Sequence, residues 1–168
     1  MTGVQTCALP ISYPSFKQSL KVLDNKRLGK QRVETYQIIS AITQRPKLDG
    51  TPYKGWLNHP CTIMWKNNLN ALKEYLNLSI SEWVSRGFNN TMVFEEIIGP
   101  VEYPNFIGFE RFHSSHRANL LKKDFEFYSK YKWTEDPSNP YVWMDREGNW
   151  YKQYSGKKER IYYEKAHV

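Results

Sequence analysis

Two cysteines in 168 residues are too few for a disulfide scaffold or for a zinc site built from cysteine alone. No apolar run approaches the roughly 20 residues that a membrane-spanning helix needs, so a transmembrane reading is excluded. The start carries neither a basic segment nor a long apolar stretch, and no secretory signal peptide is expected. Internal repeats, low-complexity tracts, a His-Glu-x-x-His run and paired-cysteine motifs are all missing. What is abundant is cation and aromatic ring. Lys and Arg number 24 against 17 Asp and Glu, a net charge of +7, which favours polyanionic partners such as nucleic acid. Aromatics make up 15 %, with 12 Tyr and 6 Trp, enough to argue against disorder.

The first eleven residues stand apart. Met1-Thr2-Gly3-Val4-Gln5-Thr6-Cys7-Ala8-Leu9-Pro10-Ile11 has no charge. In frame it matches the translation of a common short-read sequencing adapter, with a GTG start read as Met. Residues 1–11 are therefore expected to lie outside the fold, and 12–168 to form a single domain. Without Cys7, Cys61 is alone. Any chemistry performed by the natural amino terminus would then be missing from this chain.

Spacing of apolar residues predicts a mainly α fold with about three long helices and irregular, aromatic-rich connections. Leu20, Leu23, Leu28, Val33, Tyr36, Ile39 and Ile42 place a helix over about 17–43, with Ser15 or Ser19 as cap and a turn at Asp24-Asn25. Pro60 opens a second helix, which Ser79-Ile80-Ser81-Glu82 could split near 79 and Gly87 stops. A third covers about 114–131, opened by Ser114 or Ser115. A short hairpin is expected around Glu147-Gly148-Asn149.

Three stretches could carry chemistry. From Leu23 to Glu34, Lys26, Arg27, Lys30 and Arg32 put four cations in seven positions, followed by one carboxylate. Arg27, Gln31 and Glu34 share one helix face, Lys26 and Lys30 a neighbouring one. This is either a solvated face with Lys30–Glu34 and Arg27–Gln31 pairs, or a face that grips DNA phosphates beside a carboxylate placed for proton transfer. In Gly55-Trp56-Leu57-Asn58-His59-Pro60, His59 either caps the helix or points its ring into a cleft. The run Phe112 to Lys123 places Ser114, His116, Arg117, Lys122 and Lys123 where a helix start could hold phosphate. His113 and His116 with His59 could instead begin a metal site. The tail Trp150 to Lys158, with Lys152, alternates rings and cations, as a nucleic-acid contact does or as a packed aromatic tail would.

These blocks resemble the pyrimidine-dimer DNA glycosylase/AP lyase family, the phage-type endonuclease V, in its bacterial and viral branch. The signatures are L-D-x-x-R-L-G-K-Q-R-x-E, G-W-x-N-H-P, E-W-x-x-R-G and H-x-S-H-R-x-N-L-x-x-K-D. Here they run Leu23 to Glu34, Gly55 to Pro60, Glu82 to Gly87 and His113 to Asp124. The resemblance spans about 13–163. It implies a compact helical enzyme that needs no metal or other cofactor. An amine at the chain start attacks C1′ of a damaged nucleotide, the base leaves, and β-elimination nicks the strand. Glu34 falls at the position of the assisting glutamate, with Arg27 and Arg32 among the cations around it. His59 sits where the family has a histidine, and Arg117 and Lys122 resemble DNA-holding residues. The expected partner is double-stranded DNA carrying a damaged or modified pyrimidine, and the expected protein is a cytoplasmic monomer, bacterial or phage-encoded. Trp56, Trp65 and the tail aromatics are candidate wedges for opening the duplex. The start Met1-Thr2 belongs to the adapter-like segment, so the natural nucleophile is expected a few residues before Tyr13. A DNA-binding module without chemistry and a metal-dependent nuclease remain as alternatives.

Overall fold

A computed structural model describes residues 9–53, 55, 57–154 and 157–160, the last four and residue 154 by backbone alone. The chain is mainly α and falls into two compact units. Leu9 and Phe16–Pro104 belong to one, Pro10–Ser15 and the residues from Asn105 onward to the other. Leu9, Pro10 and Ile11 are buried, so the expectation that residues 1–11 lie outside the fold does not hold for these three. Residues 1–8 lie outside the described residues.

The first unit is helical. α1 (Phe16–Lys21) is short and buries Phe16, Ser19 and Leu20. The chain turns at Asp24, whose carboxylate accepts from the Arg27 N–H and opens α2 (Asn25–Thr43). α2 ends at Gln44, which adopts φ 54°, and Pro46 prevents continuation. His59 caps α3 (Pro60–Trp65) with its ring, and Pro60 takes the first position, where a missing N–H costs nothing. The break in the second helix falls at 66–68, before α4 (Leu69–Ser85), and not near 79. Ser79 is fully buried and its hydroxyl donates to the Leu76 carbonyl, so it bonds within the helix instead of capping a new one.

α2 and α4 pack along each other, with Leu28, Ile38, Ile39, Leu72, Leu76 and Ile80 in the core. Close approach depends on Gly29: a Cβ there would lie 3.1 Å from the Trp83 ring. Phe16, Trp65 and Tyr75 form an aromatic knot, with Phe16 edge-on to Tyr75 at 5.5 Å and 5.7 Å from Trp65. Each such ring pair adds about 0.5–1.5 kcal/mol beyond its buried area. Arg86 closes the other end of α4. Its guanidinium donates to the Leu20, Lys21 and Leu23 carbonyls, to Asn25 Oδ1 and to Glu82, satisfying carbonyls that the end of α1 leaves open.

Residues 88–104 have no regular structure and run along α4, which holds them by side chains. Asn77 exchanges two bonds with the Glu95 backbone, Asn70 donates to the Ile98 and Pro100 carbonyls, and Asn68 donates to that of Glu102.

The second unit is built on α5 (Glu110–Lys123), which begins four residues earlier than expected. Gly108 (φ 98°) makes the turn, and its N–H donates to His113 Nε2. Asp124 then caps a separate short helix, α6 (Phe125–Tyr128), followed by a 3-10 turn, so the expected helix over 114–131 is three pieces. The expected hairpin is present. β1 (Tyr141–Met144) pairs antiparallel with β2 (Trp150–Tyr154), Met144 opposite Trp150, and β2 pairs with an unexpected third strand, β3 (Lys157–Arg160). Asp145 Oδ1 accepts the Glu147 and Asn149 N–H groups to close the turn. The Val142 N–H donates to Ser115 Oγ, tying β1 to α5.

Candidate active site

Glu34 stands in the middle of α2, partly exposed. One turn earlier Gln31 is almost fully buried, and its Nε2 donates to Glu34 Oε2 at 3.5 Å. Behind it the Tyr75 hydroxyl, at 3.3 Å, donates to Gln31 Oε1. Glu34 also reaches electrostatically toward Cys61 in the first turn of α3. Burial pushes the Cys61 thiol up to about 12, and the Glu34 charge adds to the rise. The Leu9 N–H points at the same sulfur and partly offsets it. The buried neutral thiol of Cys61 thus takes the Leu9 N–H and feels the Glu34 charge.

His59 frames this place without being ionised. Its Nδ1 accepts from the Cys61 N–H at 3.1 Å, and burial lowers its pKa to about 4. Capping and neutrality go together here, since a protonated Nδ1 could not accept.

The cations of α2 divide. Arg27 turns back to Asp24 (3.2 Å), and Gln31 is engaged with Glu34 and Tyr75, so the expected Arg27–Gln31 pair does not form. Arg32 lies on another face, stacked 4.0 Å over the Trp83 ring and bonded to Asn90, and its burial lowers its pKa. It serves the α2–α4 packing. Lys26 and Lys30 are exposed, with no ion pair among the described residues, and the expected Lys30–Glu34 pair does not form either.

The phosphate site expected on α5 is not assembled. Because the helix starts at Glu110, Ser114 lies in its second turn, with no open N–H groups to offer an anion. His116 is 1 % exposed among Phe112, Tyr141 and Trp143, and burial holds its pKa well below the ordinary histidine value. Arg117 is consumed internally: it pairs with Glu135 (2.6 Å) and Glu110 and donates to the Ser12 carbonyl. Burial pulls its pKa down, but the two carboxylates outweigh that and leave it raised. Lys122 and Lys123 remain exposed at the end of α5. Lys152, on β2, is half-buried, flanked by Val142 and Glu159 in the strand register.

The metal reading loses its ligands. His113 Nδ1 bonds the Ile11 carbonyl (2.8 Å) while Nε2 accepts from Gly108, leaving no lone pair for a metal. Among the described residues no group of three His, Cys, Asp or Glu could hold an ion. Trp65 is buried and cannot wedge a duplex, and Trp56 and the side chains of residues 154–168 lie outside the described residues.

Sequence reasoning missed the support beneath Glu34. Gln31 was expected as a partner of Arg27 on the face shared with Glu34, and nothing local links it to Tyr75, 44 positions away. Arg86 and Trp83 were legible only as parts of a motif. A glycine in mid-helix facing a tryptophan in another helix was the available signal for a close crossing.

A family model described as pyrimidine dimer DNA glycosylase matches residues 7–96, which include α1 to α4 and Glu34. No curated protein and no solved structure matches the chain. Among the described residues no helix is long and apolar enough to cross a membrane.

Proposed function

The chain belongs to the pyrimidine dimer DNA glycosylase family, and from that membership we propose that the natural protein excises dimerised or modified pyrimidines from double-stranded DNA and nicks the abasic site. An α-amine at the natural start, with a pKa near 8 before any perturbation, attacks C1′. The bond from C1′ to the base breaks, the base leaves with the electron pair, and loss of the amine proton with opening of the sugar gives an iminium. Glu34 is the carboxylate that faces this growing positive charge. Removal of a C2′ proton then expels the 3′ phosphate.

The observation that supports this best is at Cys61, whose sulfur takes the Leu9 N–H, four residues before Tyr13, and whose thiol feels the Glu34 charge. Lys26 and Lys30, exposed on the same helix, would meet phosphates. Arg27 and Arg32 act in this reading as framework, not as reacting groups. The chain as it stands, with the adapter-like sequence ahead of Tyr13, is expected to bind DNA without lyase activity.

Borohydride trapping on duplex DNA with an abasic site or a thymine dimer tests the reading. A covalent adduct is expected when a native-like start is restored before Tyr13, and none from the chain as it stands. Glu34→Gln in the restored protein should abolish the adduct and spare binding, and activity should survive EDTA. No adduct from the restored protein, with salt-sensitive binding intact, would leave a DNA-binding module.

A further inference from the structure

We infer that Gln31 is a positioning residue that fixes the Glu34 carboxylate, with Tyr75 as its anchor in the core. The inference rests on the reading of Glu34 as the carboxylate at the reacting centre.

Glutamine is rarely buried, and a buried amide must find partners at both ends. Gln31 is 4 % exposed and uses its amide between two defined groups, the Tyr75 hydroxyl on Oε1 and Glu34 Oε2 on Nε2. The orientation is not arbitrary. Turning the amide over would set Oε1 against a carboxylate oxygen, two acceptors facing each other. The phenol therefore donates to Oε1, and the N–H points at Glu34. Tyr75 cannot drift, because it is fully buried with its ring against Phe16 and Trp65. Gln31 and Glu34 are one turn apart on the same face, the spacing at which side chains meet. Thr35, also buried, donates to the Gln31 carbonyl and tightens the same turn.

A partly exposed glutamate ordinarily samples several rotamers, and ordering it costs entropy. Here a donor held by the packed core offers one carboxylate oxygen a fixed partner. A carboxylate that must meet a developing iminium needs such support, since misplacement by an ångström forfeits much of the effect.

The titration of Glu34 tests this on the chain as it stands, followed by NMR with carboxyl-labelled glutamate and assigned by the signal lost in Glu34→Gln. Gln31→Met should raise the Glu34 midpoint by about one unit, since an amide donor to a charged group is removed. Tyr75→Phe, which frees the amide without deleting it, should raise the midpoint less. In the protein with its start restored, Gln31→Met should slow adduct formation about tenfold at unchanged DNA affinity, the signature of an interaction used in the reaction step. An unmoved midpoint in folded Gln31→Met overturns the inference, because a glutamine that only fills the core would leave Glu34 unaffected. Should Gln31→Met fail to fold, Tyr75→Phe decides, and an unmoved midpoint there overturns it equally. Absence of any adduct from the restored wild type would overturn the glycosylase-lyase reading alone and leave the titration result standing.

Discussion

Helices α2 and α5 look alike as strings of letters and are used in opposite ways. Each carries a cluster of basic side chains, and each was expected to present it to DNA. On α2, Leu28, Ile38 and Ile39 supply the buried face, so Lys26 and Lys30 stay in water. On α5 the apolar residues are too few for a helix buried over most of its length. Phe112, Ala118, Leu120 and Leu121 share the interior with His113, Ser115, His116, Arg117 and Asn119. Of these polar groups His113, Ser115, Arg117 and Asn119 find partners, while neither ring nitrogen of His116 has one among the described residues. Ile11 and Gly108 serve His113, while Ser12, Glu110 and Glu135 serve Arg117. A count of charges does not distinguish a binding face from a satisfied interior. The supply of apolar residues on the same helix does.

The strongest way to break this comparison is to remove the Arg117 charge. Glu135 is as deeply buried as Arg117, and deleting one member of such a pair strands the other. Arg117→Met is expected to cost about 3–5 kcal/mol of stability, read from denaturant unfolding, with no specific loss of DNA affinity in whatever remains folded. A fully stable variant that binds DNA more weakly would return Arg117 to the DNA-holding role that its motif suggested.

Acid offers a second, milder test. Burial lowers the folded-state pKa of both His113 and His116. The unfolded chain, titrating near 6.5, then binds more protons than the folded one as pH falls, so stability is kept above about 6.5 and lost below it. The slope from His116 alone is at most about 1.4 kcal/mol per pH unit. His59 adds to the fall until it titrates at about 4. His116→Phe, set among Phe112, Tyr141 and Trp143, should flatten the decline and cost little at neutral pH, because neither ring nitrogen has a hydrogen-bond partner among the described residues. An unchanged slope of unfolding free energy against pH would mean that His116 does not carry the buried neutral state.

The same contrast explains what could be read in advance. Signals carried by one or two residues were legible: the turn at Asp24-Asn25, Pro60 at the first position of its helix, the turn at Gly148, the stop before Gly87. Signals that depend on a distant neighbour were not. Ser79 sits in a pattern that suits a helix start, yet a buried serine can bond the carbonyl three residues back, and only packing decides. The start of α5 hinges on His113 receiving the Gly108 N–H, which a reading centred on Ser114 passes over. At the candidate site, Glu34 was legible through its motif and spacing. The Gln31–Tyr75 support was not, because its halves lie on different helices.

The smallest expected effect on stability falls on the outer lysines, and there the comparison is sharpest. Lys26 and Lys30 touch no carboxylate among the described residues, so replacing either with alanine should move stability by no more than about 0.5 kcal/mol. Their effect should appear in the salt dependence of DNA binding. Each phosphate contact releases condensed counterions, so each lost contact lowers the slope of log affinity against log salt by about 0.9. The double replacement should flatten that slope by nearly two and weaken binding to all sequences alike, since phosphate contacts carry no base information. An unchanged slope would make Lys26 and Lys30 merely solvated, and α2 would then differ from α5 only in where its charges point.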